Sequence, residues 1–259
     1  MMRSLYTAKS GMESSQFRLD VISNNLANVG TKGFKRSAAV FEDLMYQTLR
    51  TPGSRLQTGE TLPTGLTVGL GAAPMATARV HTEGGLSTTG NVFDLAVNGR
   101  GFFKVQTPDG QTAYTRNGQF QRGATGRLET AEGYPVQPEI TVPDGTAYQV
   151  SEDGAVSYLA PGATERTQAG QLELSDFINP AGLDAIGGNL YLETAASGAA
   201  VTGTGGLLGF GKVKSGFLEE SNVNVAEELV SMIQAQRAYE MNSRAIKTSD
   251  EMLQRLTQL

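Results

Sequence analysis

The chain has 259 residues, 39% hydrophobic and 18% charged, with 32 glycines, no cysteine, one histidine and a formal net charge of −5. Without cysteine there are no disulfides, thiolate metal sites or thiol chemistry, and a single histidine excludes a metal site built on two imidazoles. The acidic balance argues against nucleic acid as a general partner, and no apolar run is long enough to span a bilayer.

From Ser4 to Asn28 the spacing predicts a helix. Leu5, Ala8, Met12, Ser15, Leu19, Ile22, Leu26 and Val29 follow one another at alternating steps of three and four. This is the a/d seam of a coiled coil. Gly11 lies inside the helix and costs about 1 kcal/mol against alanine unless a neighbour packs closely there. Asn24, Asn25, Asn28, Gly30 and Gly33 mark its end, since Asn and Gly tolerate the left-handed conformation. Charges at Arg3, Lys9, Glu13, Arg18 and Asp20 deny residues 1–30 the apolar stretch of a secretory signal, so composition alone points to the cytoplasm. Lys32, Lys35 and Arg36 form a small basic cluster after the helix, read as a solvated turn that favours the negative helix end.

Beyond Thr31 the pattern loosens. Phe34, Val40, Phe41, Leu44, Met45 and Tyr46 form one apolar patch, and Thr51–Ala73 alternates small polar residues with glycine and proline. That stretch reads as an extended or hairpin segment, and so long a loop inside a compact domain is usually functional. Residues 91–205 predict an all-β domain, with strand-sized runs at 94–97, 102–106, 113–115, 119–121, 127–129 and 171–174. Asn98-Gly99, Asp109-Gly110, Asn117-Gly118, Asp144-Gly145 and Asp153-Gly154 are favoured hairpin-turn dipeptides, so the domain is expected to be antiparallel.

The last helix opens on Asn224, a good N-cap, with Glu227 three residues on and Glu228 beside it. Val225, Met232, Tyr239, Ile246 and Leu253 recur every seven residues, with Leu229 a further apolar position. No Gly or Pro interrupts this helix, and a β domain of this size could not cover it.

Chemistry-bearing motifs are weak. Gly206–Lys212 imitates the start of a phosphate-binding loop, but Val213 stands where Ser or Thr would hold magnesium. His81 reads as a surface or packing histidine, and nothing singles out a catalytic carboxylate pair. The expected fold class is α+β and multi-domain. Residues 1–30 with 224–259 form a coiled-coil-like inner domain, 31–90 with 206–223 an extended or β-hairpin region, and 91–205 an all-β outer domain. Leu5, Met12, Leu19, Ile22, Leu26, Val29, Val225, Leu229, Met232, Tyr239, Ile246 and Leu253 are the expected self-assembly residues. Periodicity alone leaves open that both helices pack on the β domain of their own chain. It also leaves open a secreted β-domain binding module on a helical stalk.

The segment Ser23–Arg36, carrying Asn24, Asn25, Asn28, Thr31, Gly33 and Phe34, resembles the N-terminal signature of the bacterial flagellar rod and hook family. Ser221–Glu240, carrying Asn224, Gln236, Arg237 and Tyr239, resembles that family's second signature and continues through Asn242–Ile246 and Asp250–Leu253. Gly101–Phe103 and Tyr114–Phe120 are similar to recurring pieces of its β domain. Arg3–Tyr6, Val40–Gln47 and Leu62–Leu66, with the overall length, resemble the rod branch more than the hook branch.

The resemblance implies a non-enzymatic subunit, needing no cofactor or metal, that stacks helically into the hollow drive shaft carrying motor torque to the hook. It reverses the cytoplasmic reading: such chains leave through the flagellar type III export apparatus without a cleaved signal and assemble in the periplasm. The implied partners are further copies of the chain, the proximal rod proteins, the hook protein or hook–rod junction, and the P-ring and L-ring bushing proteins. Nucleic acid binding and membrane insertion are not implied. A proximal rod or hook-type axial protein is the alternative within the family. A wall-cleaving enzyme is a rival of another class, because a rod crosses peptidoglycan.

Overall fold

The computed structural model describes residues 2–52, 64–143, 147–160, 162–207 and 209–257. The chain divides into two compact units: Met1–Leu26, Ser37–Ala78 and Asn224–Leu259 form unit 1, and Ala27–Arg36 with Arg79–Val223 form unit 2.

Unit 1 is built on two helices, α1 (Met2–Ala27) and α2 (Val225–Thr257). Its strands are β1 (Ser37–Asp43), β2 (Tyr46–Arg50), β3 (Leu66–Gly69) and β4 (Ala72–Arg79). At 33 residues α2 extends about 50 Å. It starts where the Asn224 side-chain oxygen accepts the Ala226 amide at 3.1 Å, which satisfies one of the helix's orphan donors. Glu227 and Glu228 lie in its first turn, against the positive end of the dipole. β1 pairs with β4, and β2 pairs antiparallel with β3. The segment read as extended or hairpin therefore carries two strand pairs at its margins. Its residues 53–63, with Leu62 and Pro63 of the rod-like run, lie outside the described residues.

Unit 2 is the β-rich middle of the chain. In order it contains β5 (Leu86–Thr88), β6 (Leu95–Asn98), β7 (Phe102–Gln106), β8 (Thr112–Thr115), β9 (Phe120–Arg122), β10 (Leu128–Thr130) and β11 (Val136–Gln137). It continues with β12 (Ala147–Val150), β13 (Ala155–Leu159), β14 (Thr167–Gln171), β15 (Glu173–Asp176), β16 (Asp184–Gly187), β17 (Leu190–Leu192), β18 (Val201–Thr204), β19 (Lys212–Ser215) and β20 (Phe217–Glu219). A seven-stranded sheet runs in the order β16-β17-β8-β7-β15-β18, with β11 also on β7. A three-stranded sheet β12-β13-β14 and the pairs β9–β10, β6–β19 and β5–β20 complete the unit. The pairings between its named strands are antiparallel, as the turn chemistry requires, and one isolated bridge, Arg100 to Phe210, is parallel.

Strands β6 to β10 fall within one residue of the predicted runs, whereas the run at 171–174 breaks at Leu172 into β14 and β15. Asp109-Gly110 and Asp153-Gly154 do turn hairpins, β7–β8 and β12–β13. Asn98-Gly99 and Asn117-Gly118 do not, because β6 pairs with β19 and β9 with β10. Gly118 is needed for close approach instead: a Cβ there would lie 1.5 Å from the Leu95 carbonyl oxygen. Asp144-Gly145 lies outside the described residues. The phosphate-loop imitation at Gly206–Lys212 is a turn between β18 and β19, closed by the Gly206 amide on the Gly211 carbonyl at 3.1 Å. A strand rather than a helix follows it, so it has no helix N-terminus to offer an anion.

The apolar core belongs to unit 2. Leu95, Phe103, Val105, Leu128, Leu172 and Leu174 anchor the larger cluster, and Phe102, Tyr114, Phe177, Leu183 and Tyr191 form a second. In unit 1 the buried apolar residues among those described are Ala8, Ile22 and Ala235.

Candidate functional site

Two features stand apart from the β core: the paired helices of unit 1, and a polar cluster in unit 2 that seats the loop after α1.

Within unit 1, α1 and α2 meet antiparallel. Asn25 donates to Glu228 at 3.3 Å, and a side chain at Gly11 would meet the Asn242 amide at 2.6 Å. Between these points a cleft of about 230 Å³ is lined by Ser14, Ser15 and Arg18 from α1, Ala235 and Ala238 from α2, and Phe41 and Ala72 from β1 and β4. Numbers fall along α1 as they rise along α2, which fixes the direction. Gly11 thus has the close neighbour that its place in a helix required. Phe17 meets Phe41 edge-on at 6.3 Å, Arg18 lies 5.0 Å from the Phe41 ring, and Ser14 donates to the Ala72 carbonyl.

The two seam stripes fare differently. On α1, Ile22 is buried and Leu5, Met12, Leu19 and Leu26 are half-buried, while Val29, beyond the helix, is exposed. On α2, Met232, Ile246 and Leu253 are half-buried, but Val225, Leu229 and Tyr239 are about two-fifths exposed, at 41%, 44% and 40%. The α2 face turned inward is mostly small or polar: Glu228, Ala235 and Ser249 are buried at seven-residue intervals, with Asn242 between them half-buried. Val230, Ile233, Met241 and Met252 are exposed on other faces.

The signature residues divide by role. Asn25 is 1% exposed and clamps both backbone groups of Ser37, accepting from its amide and donating to its carbonyl, each at 2.8 Å. Asn28 and Thr31 form a turn through Thr31 N to Asn28 O at 3.1 Å and Thr31 Oγ1 to Asn28 Oδ1 at 3.2 Å. Gly33 has φ +69, donates to the Glu219 carbonyl, and would drive a Cβ to 2.6 Å from the Asn117 amide nitrogen. Only glycine fits there. Phe34 is buried, with the Arg79 guanidinium 5.8 Å from its ring. Asn24, Asn224, Gln236 and Arg237 are exposed.

The basic cluster is not a solvated turn. Lys35 is fully buried in unit 2 and donates to Glu219 and, at 2.6 Å, to the Thr82 carbonyl. Arg116, 4% exposed, donates to the other Glu219 oxygen at 3.4 Å and to the Val97 and Gly99 carbonyls. Gly84 N completes the carboxylate's partners at 3.0 Å. Burial lowers the pKa of both cations, and the Glu219 charge opposes that shift. Lys32 remains nearer the surface, 3.3 Å from Glu220. Asn222 ties the same segments: it accepts the Arg36 amide at 2.8 Å and donates to the Val80 and Thr82 carbonyls. His81, a packing histidine, lies against Phe102 and Tyr191. Sequence spacing carried no signal for this cluster, because Lys35 and Arg116 lie 184 and 103 residues from Glu219.

Among the described residues no group of three or more His, Asp or Glu side chains is placed to hold a metal ion, and no helix is long and apolar enough to cross a membrane. The signature loop and the paired helices are also where the chain matches known proteins. Family models match at residues 5–35 (flagella basal body rod protein), 96–158 (flagellar hook protein FlgE/F/G D1 domain) and 214–259 (flagellar basal body rod FlgEFG protein C-terminal). Over 260 residues, covering all of both chains, the sequence is 52% identical to flagellar basal-body rod protein FlgG of Buchnera aphidicola subsp. Acyrthosiphon pisum. It is 47% identical to the protein of that name in Borreliella burgdorferi, across 98% of this chain and 97% of the relative. The figure for Bacillus subtilis is 43%, across 100% and 99%. With α1, the β-rich middle and α2 all inside full-length matches, the chain belongs to the FlgG family of flagellar basal-body rod proteins, the structural subunits of the distal rod.

Proposed function

We propose that this distal rod subunit polymerises helically through α1 and α2, whose outward apolar faces are covered by the helices of neighbouring copies. The observation that carries the reading is an imbalance inside unit 1. It buries only Ala8, Ile22 and Ala235 among its described apolar residues, yet exposes Leu229, Val230, Ile233, Tyr239, Met241 and Met252 along one helix. Each such side chain contributes roughly 1.5–3 kcal/mol when buried. Contacts that join unlike faces and do not close a ring extend into an open helical polymer.

In this reading the helices line a coiled-coil-like inner tube, residues 91–205 serve as the outer domain of the shaft with 31–90 and 206–223 as the connecting region, and the shaft carries torque to the hook. The chain has no enzymatic role and works in the periplasm after type III export without a cleaved signal. Its neighbours are proximal rod proteins, the hook or hook–rod junction, and the P- and L-ring bushings. The Gln47–Gly71 segment, which opens inside the exposed strand Tyr46–Arg50, wedges between copies and stiffens the shaft.

Ile233→Asp tests the reading. Ile233 is 49% exposed, so a lone chain accommodates the charge, whereas a covered apolar face does not. Electron microscopy of the purified variant is expected to show no tubular polymers, with unfolding of unit 2 unchanged. Polymers like those of the unsubstituted protein would refute the proposed interface.

A further inference from the structure

The segment Arg79–Gly84 grips the loop Thr31–Arg36 at two points. Val80 N donates to the Arg36 carbonyl at 3.0 Å, and the Thr82 carbonyl accepts from Lys35. His81 sits between those points. Its ring packs edge-on against Phe102 and Tyr191, 5.6 Å from each centroid, and both ring nitrogens are buried without a hydrogen-bond partner.

The charges around this ring are lopsided. Arg79 and Glu83 lie on its own segment, Lys35 on the loop, Arg116 after β8, and Glu219 on β20. Tyr191 of β17 faces it as well, its hydroxyl accepting from Arg79 at 3.3 Å. The buried Glu219 carboxylate is already shared by Lys35, Arg116 and the Gly84 amide. A further cation would enter a site whose buried carboxylate is already committed, beside cations that desolvation already disfavours.

We propose that His81 makes the seating of the signature loop acid-labile: a proton on its ring unseats Thr31–Arg36 from the rest of unit 2. Lys35 is the group that yields, because it hangs on a loop, whereas Arg116 is also held by two backbone carbonyls. In the seated form, burial and then the Lys35, Arg116 and Arg79 charges lower the histidine pKa to about 4. The Pro180 backbone favours the proton but falls short of a hydrogen bond. Once the loop is out, the ring titrates near its ordinary value of about 6.5. The unseated form therefore takes up the proton more readily, and acid favours it. The gain starts below about pH 6.5 and levels off near 4, amounting to roughly twentyfold in the opening equilibrium between pH 7 and pH 5.

Histidine occurs once in the chain, so its ring proton gives a single assignable NMR signal. In the full chain that signal is expected to titrate near pH 4. Amide-exchange protection of residues 33–36 and 80–84, corrected for intrinsic rates, is expected to fall about twentyfold from pH 7 to pH 5. In His81→Phe, or His81→Asn should the first not fold, the fall disappears. A titration midpoint near 6.5 overturns the proposal. So does a fall that persists in the variants.

Discussion

Lys35 shows how a residue's neighbourhood overrides its local sequence. Between Phe34 and Arg36 it reads as part of an exposed basic turn, yet it is buried against a carboxylate from the other end of the chain. A lysine loses several kcal/mol of solvation on such burial and is tolerated only with a committed partner. Glu219 is that partner for Arg116 too, so one uncharged amide in its place would strand two cations. Glu219→Gln is expected to destabilise unit 2 by about 3–5 kcal/mol, read as a lower urea midpoint in tyrosine fluorescence. An unchanged midpoint would mean that solvent reaches these cations in solution. Gly33 and Phe34 were legible as signature residues, but the reason for Gly33 is the Asn117 backbone, far along the chain.

At the scale of elements, the helices were the most legible part of the sequence. Asn224 caps α2, and a heptad pattern without Gly or Pro produces 33 helical residues. Strands β6 to β10 were legible to within a residue, but their pairing was not where Gly99 and Gly118 serve close approach rather than a hairpin turn. Periodicity did not reveal which face of α2 meets α1. Large apolar residues dominate the pattern, whereas the face turned to α1 carries Glu228, Ala235, Ala238 and Asn242. Small side chains let the two backbones approach closely, and the Asn25–Glu228 contact fixes their register. Ala235→Leu adds volume at a position 2% exposed and is expected to cost about 1–3 kcal/mol. The check is loss of protection in α1 and α2 amides with unit 2 unaffected. Equal protection in both proteins would mean that the helices do not pair in solution.

The whole molecule distributes its apolar residues unevenly. Unit 2 holds both buried clusters and has the makings of an independently stable body. Unit 1 exposes apolar side chains along α2 and on its strands, an arrangement that costs little only if other copies arrive. Composition, charge and the absence of cysteine pointed away from nucleic acid and thiol chemistry, but the seat of the signature loop needed contacts separated by most of the chain. The most direct test is a helical reconstruction of the polymer. The account predicts Leu229, Val230, Ile233, Tyr239 and Met241 packed against α1 or α2 of adjacent copies. Finding those side chains bathed in solvent within an intact shaft would contradict it.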